Sequence, residues 1–75
     1  MRNRIRDLRE DADLTQRQVA AYLNMSQTGY SKYETGENDI PSLIWQMLAD
    51  LYETSVDYLM GRTDEKTPYP KTKHK

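Results

Sequence analysis

The 75-residue chain carries few groups capable of covalent or acid–base chemistry. It has no Cys, and its one His is His74, next to the C-terminal Lys75. Thiolate nucleophiles, disulfides, His-based catalytic dyads and multi-His metal sites are therefore excluded. No glycine-rich phosphate loop occurs, and the 12 acidic residues show no spacing that implies a shaped carboxylate pocket. The residues thus predict no enzyme, no catalytic group, no cofactor, no metal and no small-molecule ligand. What remains is recognition by hydrogen bonds and charge. The side chains suited to it are the Gln, Thr, Ser, Lys and Arg residues between Arg9 and Thr35.

Spacing predicts five short helices to hold them. The first spans about Asn3 to Asp11, with Ile5 and Leu8 on its apolar face and Ala12 continuing it. Thr15 followed by Gln18 is a capping-box signature for a second helix. Val19, Ala20 and Leu23 form that helix's stripe, and Asn24 suits its left-handed end. Ser26 caps a third helix running to Glu34, and Gly36 ends it. Pro41 opens a fourth helix, Ser42 to Tyr52. Thr54 or Ser55 caps a fifth, Val56 to Met60, ended by Gly61. No segment alternates apolar and polar residues for long, so the expected class is all-α. One domain should cover 1–63. Residues 64–75, rich in Lys and Pro, read as a disordered basic tail. No targeting segment is visible, and no apolar run approaches the ~20 residues of a membrane span. A cytoplasmic protein with no membrane partner is expected.

Thr15 to Glu34 is two short helices joined by a tight turn of Leu23, Asn24, Met25 and Ser26. That is the layout of a helix-turn-helix. Three blocks extend the match in order. "IRDLREDADLTQRQVAAYLNMS" resembles the opening of the Cro/repressor-type (XRE) helix-turn-helix family, "YSKYETGENDIP" its recognition-helix end and loop, and "LADLYETSVDYLMGRT" its last two helices. The resemblance covers roughly residues 4–63 without a gap. It implies a lambda-repressor-like fold of five short helices. It also implies sequence-specific binding of double-stranded DNA, usually by a homodimer on a palindromic operator, in bacterial or phage transcriptional repressors and regulators.

The resemblance also implies residue roles. Gln27, Thr28, Ser31 and Lys32 take the base-reading positions. Gln can bind adenine through two hydrogen bonds, Lys can donate to guanine, and Thr can pack on a thymine methyl. Gln16, at a helix N-terminus whose unpaired N–H groups favour anions, takes a phosphate position that Thr15 can share. Arg9 and Glu34 match a salt bridge between the first and third helices, which would turn Arg9 toward a phosphate. Arg17 is a further phosphate candidate, and so is the backbone around Thr35 and Gly36. Tyr30 and Tyr33 fall at positions that pack beneath the recognition helix.

Three features depart from the pattern. Gly29 lies inside the third helix, where Gly costs about 1 kcal/mol relative to Ala. It either lets the phosphate backbone approach or weakens the helix. The loop after Gly36 is acidic, with Glu37 and Asp39. The fourth helix carries an apolar arc of roughly 240° at about 100° per residue, more than one core face needs. The surplus predicts a dimer interface using Leu43, Ile44, Met47 and Leu51, with Val56. The net charge of −1 argues against heavy phosphate contact. It divides, however, into six cations against five anions over residues 1–36 and five against seven over 37–75. A different class, a protein-interaction module of the same fold such as an antitoxin-like partner, would also use the apolar arc and acidic loop.

Overall fold

The structure, a computed structural model, describes residues 3–65. Five helices follow in order: α1 Ile5–Asp11, α2 Gln16–Tyr22, α3 Gln27–Thr35, α4 Ser42–Leu51 and α5 Val56–Met60. No strand occurs among the described residues. The all-α class and the helix order match the expectation; of the tail expected over 64–75, residues 64 and 65 are described, with Asp64 paired to Arg4, and the rest lies outside the described residues.

Capping explains most of the boundaries. Thr15 and Gln18 form the expected capping box: Gln18 N–H donates to Thr15 Oγ1 at 3.1 Å, and Thr15 N–H donates to Gln18 Oε1 at 2.8 Å. Ser26 accepts from Gly29 N–H, and Ser55, rather than Thr54, accepts from Tyr58 N–H. Pro41 is the N-cap of α4. The first helix starts later than spacing predicts, because Asn3 stands outside it. Asn3 Oδ1 accepts from Ile5 N–H at 3.2 Å and Asn3 Nδ2 donates to Tyr33 O at 3.3 Å, so this side chain ties the start of α1 to α3.

Helices α1, α2 and α4 end alike. Asp13, Asn24 and Glu53 adopt left-handed backbone, with φ of 58°, 60° and 52°. The next residue's N–H then reaches back to a carbonyl one turn inside: Leu14 to Arg9, Met25 to Ala20 and Thr54 to Ala49, at 2.9–3.0 Å. This is the Schellman arrangement, which satisfies carbonyls the helix end would orphan. Ala12 does not extend the apolar face as expected. The chain turns away at Asp13, and Ala12 is exposed.

Ile5, Leu8, Val19, Ala20, Leu23, Tyr30, Leu48, Ala49 and Leu59 form one buried cluster. Each fully buried large side chain stabilises by roughly 1.5–3 kcal/mol. Arg4 closes the fold across its two ends. Its backbone N–H donates to Leu59 O at 2.8 Å, and its guanidinium lies 4.2 Å from the centroid of the Tyr58 ring. The same guanidinium donates to Thr63 O at 2.9 Å and Asp64 Oδ1 at 2.8 Å. No helix among the described residues is long and apolar enough to cross a membrane.

Candidate nucleic-acid interface

The turn between α2 and α3 is short because three local choices agree. Leu23 is the C-cap, Asn24 turns left-handed, and Ser26 caps α3 two residues later. Ala20 is buried in the cluster the two helices share, where a larger side chain would separate them. One face of α3 is thereby held down by Tyr30, which is 0% exposed and meets the Tyr33 ring edge-on at a centroid distance of 6.5 Å. The opposite face projects outward. Gln27, Thr28 and Lys32 are exposed and Ser31 is half-buried.

These four residues line one shallow surface depression of about 300 Å³, together with Gln16 and Glu37. The fold thus brings the first turn of α2 beside the outer face of α3. The depression offers amide, hydroxyl and ammonium groups, a set able to read base edges. Glu37 adds an anion at its rim, so the surface is not uniformly cationic.

Beneath it lies a buried ionic cluster. Glu34 is only 4% exposed at its side chain and Arg9 12%. Arg9 Nε donates to Glu34 Oε2 at 2.7 Å and Nη2 to Oε1 at 3.3 Å, while Nη1 donates to Leu14 O at 2.9 Å. Gln16 Nε2 donates to Oε1 at 3.0 Å, and the Tyr30 hydroxyl donates to Oε2 at 2.5 Å. Burial pushes the Glu34 carboxyl up, but hydrogen bonds from Arg9, Tyr30 and Gln16 outweigh it and hold the group below its ordinary value. The hydrogen bond to Glu34 raises Arg9 despite the opposing effect of burial. Burial, then the bond to Glu34, pushes the Tyr30 hydroxyl far above its ordinary value. Burial and the nearby Glu34 charge push Tyr52 up to about 12.

The salt bridge anticipated between Arg9 and Glu34 is therefore present, and it points inward. Three guanidinium donors are engaged inside the protein. The roles of Gln16 and Tyr30 in this cluster were not read from the residues, although Tyr30 and Glu34 share a helix face at i, i+4. Thr15 Oγ1 is occupied by the capping box. Arg17 is exposed. The Thr35 hydroxyl lies 3.2 Å from both Lys32 O and Glu37 Oε1, and Glu37 N–H approaches it at 3.4 Å. On the far side, Leu43 is 69% exposed, whereas Ile44, Met47, Leu51 and Val56 are half-buried against the core. The core itself takes up part of the wide apolar arc.

The helix-turn-helix family pattern matches residues 5–59, from the first residue of α1 into the last turn of α5. The chain belongs to the Cro/repressor-type (XRE) helix-turn-helix family. Its domain is a helix-turn-helix DNA-binding domain of the kind found in transcriptional regulators, a family without enzymatic activity. It is similar to the uncharacterized HTH-type transcriptional regulator YobD of Bacillus subtilis (strain 168), at 38% identity over 72 residues, 96% of this chain and 62% of YobD. It is 33% identical over 61 residues to ImmR, an HTH-type transcriptional regulator of the same strain, spanning 81% of this chain and 48% of ImmR. It is 38% identical over 68 residues to the cryptic phage CTXphi transcriptional repressor RstR of Vibrio cholerae, spanning 87% of this chain and 60% of RstR. The chain thus spans 48–62% of the length of these curated relatives. No solved structure gives a significant match.

Proposed function

We propose that this protein is a sequence-specific regulator of transcription, a repressor that binds a palindromic double-stranded operator as a homodimer in the cytoplasm. The observation that carries the reading is the shared depression of Gln16, Gln27, Thr28, Ser31 and Lys32 on the outer face of α3. Residues 1–63 form the DNA-binding domain. Gln27, Thr28, Ser31 and Lys32 read base edges in the major groove. Gln16, with the N–H groups at the start of α2, holds a phosphate. Thr15, Arg17 and the backbone at Thr35 supply further backbone contacts, while Arg9, whose guanidinium is taken up by Glu34 and the Leu14 carbonyl, holds Glu34 rather than a phosphate. Two copies related by a two-fold axis place their α3 helices in successive major grooves, about 34 Å apart. Leu43 leads the dimer contact, with Ile44, Met47, Leu51 and Val56 behind it. Bound across a promoter, such a dimer represses by occluding polymerase or an activator.

Selection of bound sequences from a random duplex pool tests this. The expected product is an inverted repeat, and Gln27→Ala relaxes one base position in each half-site at a cost of about 1–3 kcal/mol. Failure to enrich any sequence, alongside a tight complex with a partner protein, points instead to an interaction module of the same fold.

A further inference from the structure

We propose that Tyr30 is a positioning residue for DNA binding: its buried hydroxyl locks the Glu34 carboxylate, and through it the Gln16 amide, so that Gln16 presents an N–H to a DNA phosphate. The inference rests on the function proposed above.

An ionised carboxylate accepts hydrogen bonds and cannot donate them, through about four lone-pair sites on two oxygens. At Glu34 all four are filled. Arg9 Nε and Tyr30 donate to Oε2; Arg9 Nη2 and Gln16 Nε2 donate to Oε1. Because Glu34 takes only donors, the NH₂ end of Gln16 must face it. One amide hydrogen is used there, and the second remains for a ligand at the mouth of the depression that Gln16 lines. The opposite flip would aim the amide oxygen at Glu34, and two acceptors would repel.

The hold on Glu34 is uneven without Tyr30. The Arg9 fork has one short leg of 2.7 Å and one long leg of 3.3 Å, and the long leg falls on the oxygen that serves Gln16. The Tyr30 contact, at 2.5 Å, is the shortest in the cluster. It comes from a ring that is itself 0% exposed and unable to swing. With the hydroxyl gone, the carboxylate pivots about its short Arg9 leg. Oε1 then leaves Gln16, whose amide is free to turn its oxygen toward the phosphate.

A double-mutant cycle separates this role from a purely structural one. Tyr30→Phe, Gln16→Ala and the double variant are titrated with a duplex selected from the random pool and with a random-sequence duplex. Tyr30→Phe is expected to weaken both duplexes by the same factor, about threefold to tenfold, with unchanged base preference. In the Gln16→Ala background it should cost nothing further. Additive losses, a loss confined to the selected duplex, or no loss would overturn the proposal. A wild-type protein that binds neither duplex removes the functional reading itself. Should Tyr30→Phe melt below the assay temperature, Glu34→Asp withdraws the carboxylate while keeping Tyr30. The same uniform, Gln16-dependent loss is expected there, and full affinity overturns the proposal.

Discussion

At the scale of single residues, Glu34 concentrates the chemistry of the domain. A carboxylate this deeply buried survives as an anion only because four donors surround it. Its folded pKa lies below the ordinary value, so the stability it contributes is fully present above the ordinary carboxylate range. That contribution is lost as pH falls through the lowered folded value, because the unfolded chain takes up the proton first. Denaturant melts across acidic pH should show a decline in stability that Glu34→Gln flattens. The same argument makes Arg9→Ala the costly partner deletion. It leaves a buried anion with its cation gone, and about 3–5 kcal/mol of stability should disappear. A loss below about 1 kcal/mol would mean that the pair behaves as an exposed one.

At the scale of helices, ends matter more than middles. Helices of five to ten residues have a large share of their backbone groups at termini, so caps decide whether they form. The Thr15 and Ser26 caps were legible because hydroxyl residues there precede a helical stretch, whereas at α5 two adjacent hydroxyls, Thr54 and Ser55, left the choice to the structure. Gly36 and Gly61 were legible because Gly readily takes positive φ, here 85° and 81°. The left-handed ends at Asp13 and Glu53 were not, since Asp only tolerates that backbone and Glu does not favour it. Glu53 is the more strained of the two, because Asp adopts left-handed backbone more readily than a longer side chain does. Glu53→Gly should therefore stabilise the fold by about 1 kcal/mol, read as a rise in thermal midpoint of roughly 4–8 °C for a domain this small. A fall would show that the Glu53 side chain contributes more than its backbone costs.

At the scale of the whole molecule, the recognition surface and the exposed part of the apolar arc lie on different elements, α3 and α4. The proposed dimer can thus join subunits without covering the base-reading residues. Sedimentation across micromolar concentrations should show self-association, and Leu43→Glu should abolish it. The thermal midpoint should stay nearly unchanged, because a side chain that is 69% exposed contributes little to the core. A monomer at every concentration and on DNA would remove the dimer. The net charge of −1 fits such an arrangement, with few phosphate contacts per subunit and affinity gained by linking two of them.

Residue types and spacing alone determined the all-α class, the helix order and the helix-turn-helix layout, while the outward set Gln27, Thr28, Ser31 and Lys32 came from the family resemblance. The first three depend on local signals: a cap, a turn residue, or a period near 3.6. Only the tertiary structure decided that Gln16 and Tyr30 join the Arg9–Glu34 pair, which the family resemblance had implied. Gln16 and Glu34 stand 18 positions apart along the chain, a separation that carries no periodic signal. The tertiary structure also decided that most of the α4 arc faces the core, since a helix's own period shows which residues share a face but not what another helix covers. The physical reason is the same in both cases. Hydrogen-bond partners and buried area are properties of neighbours in space, and those neighbours exist only once the five helices have packed.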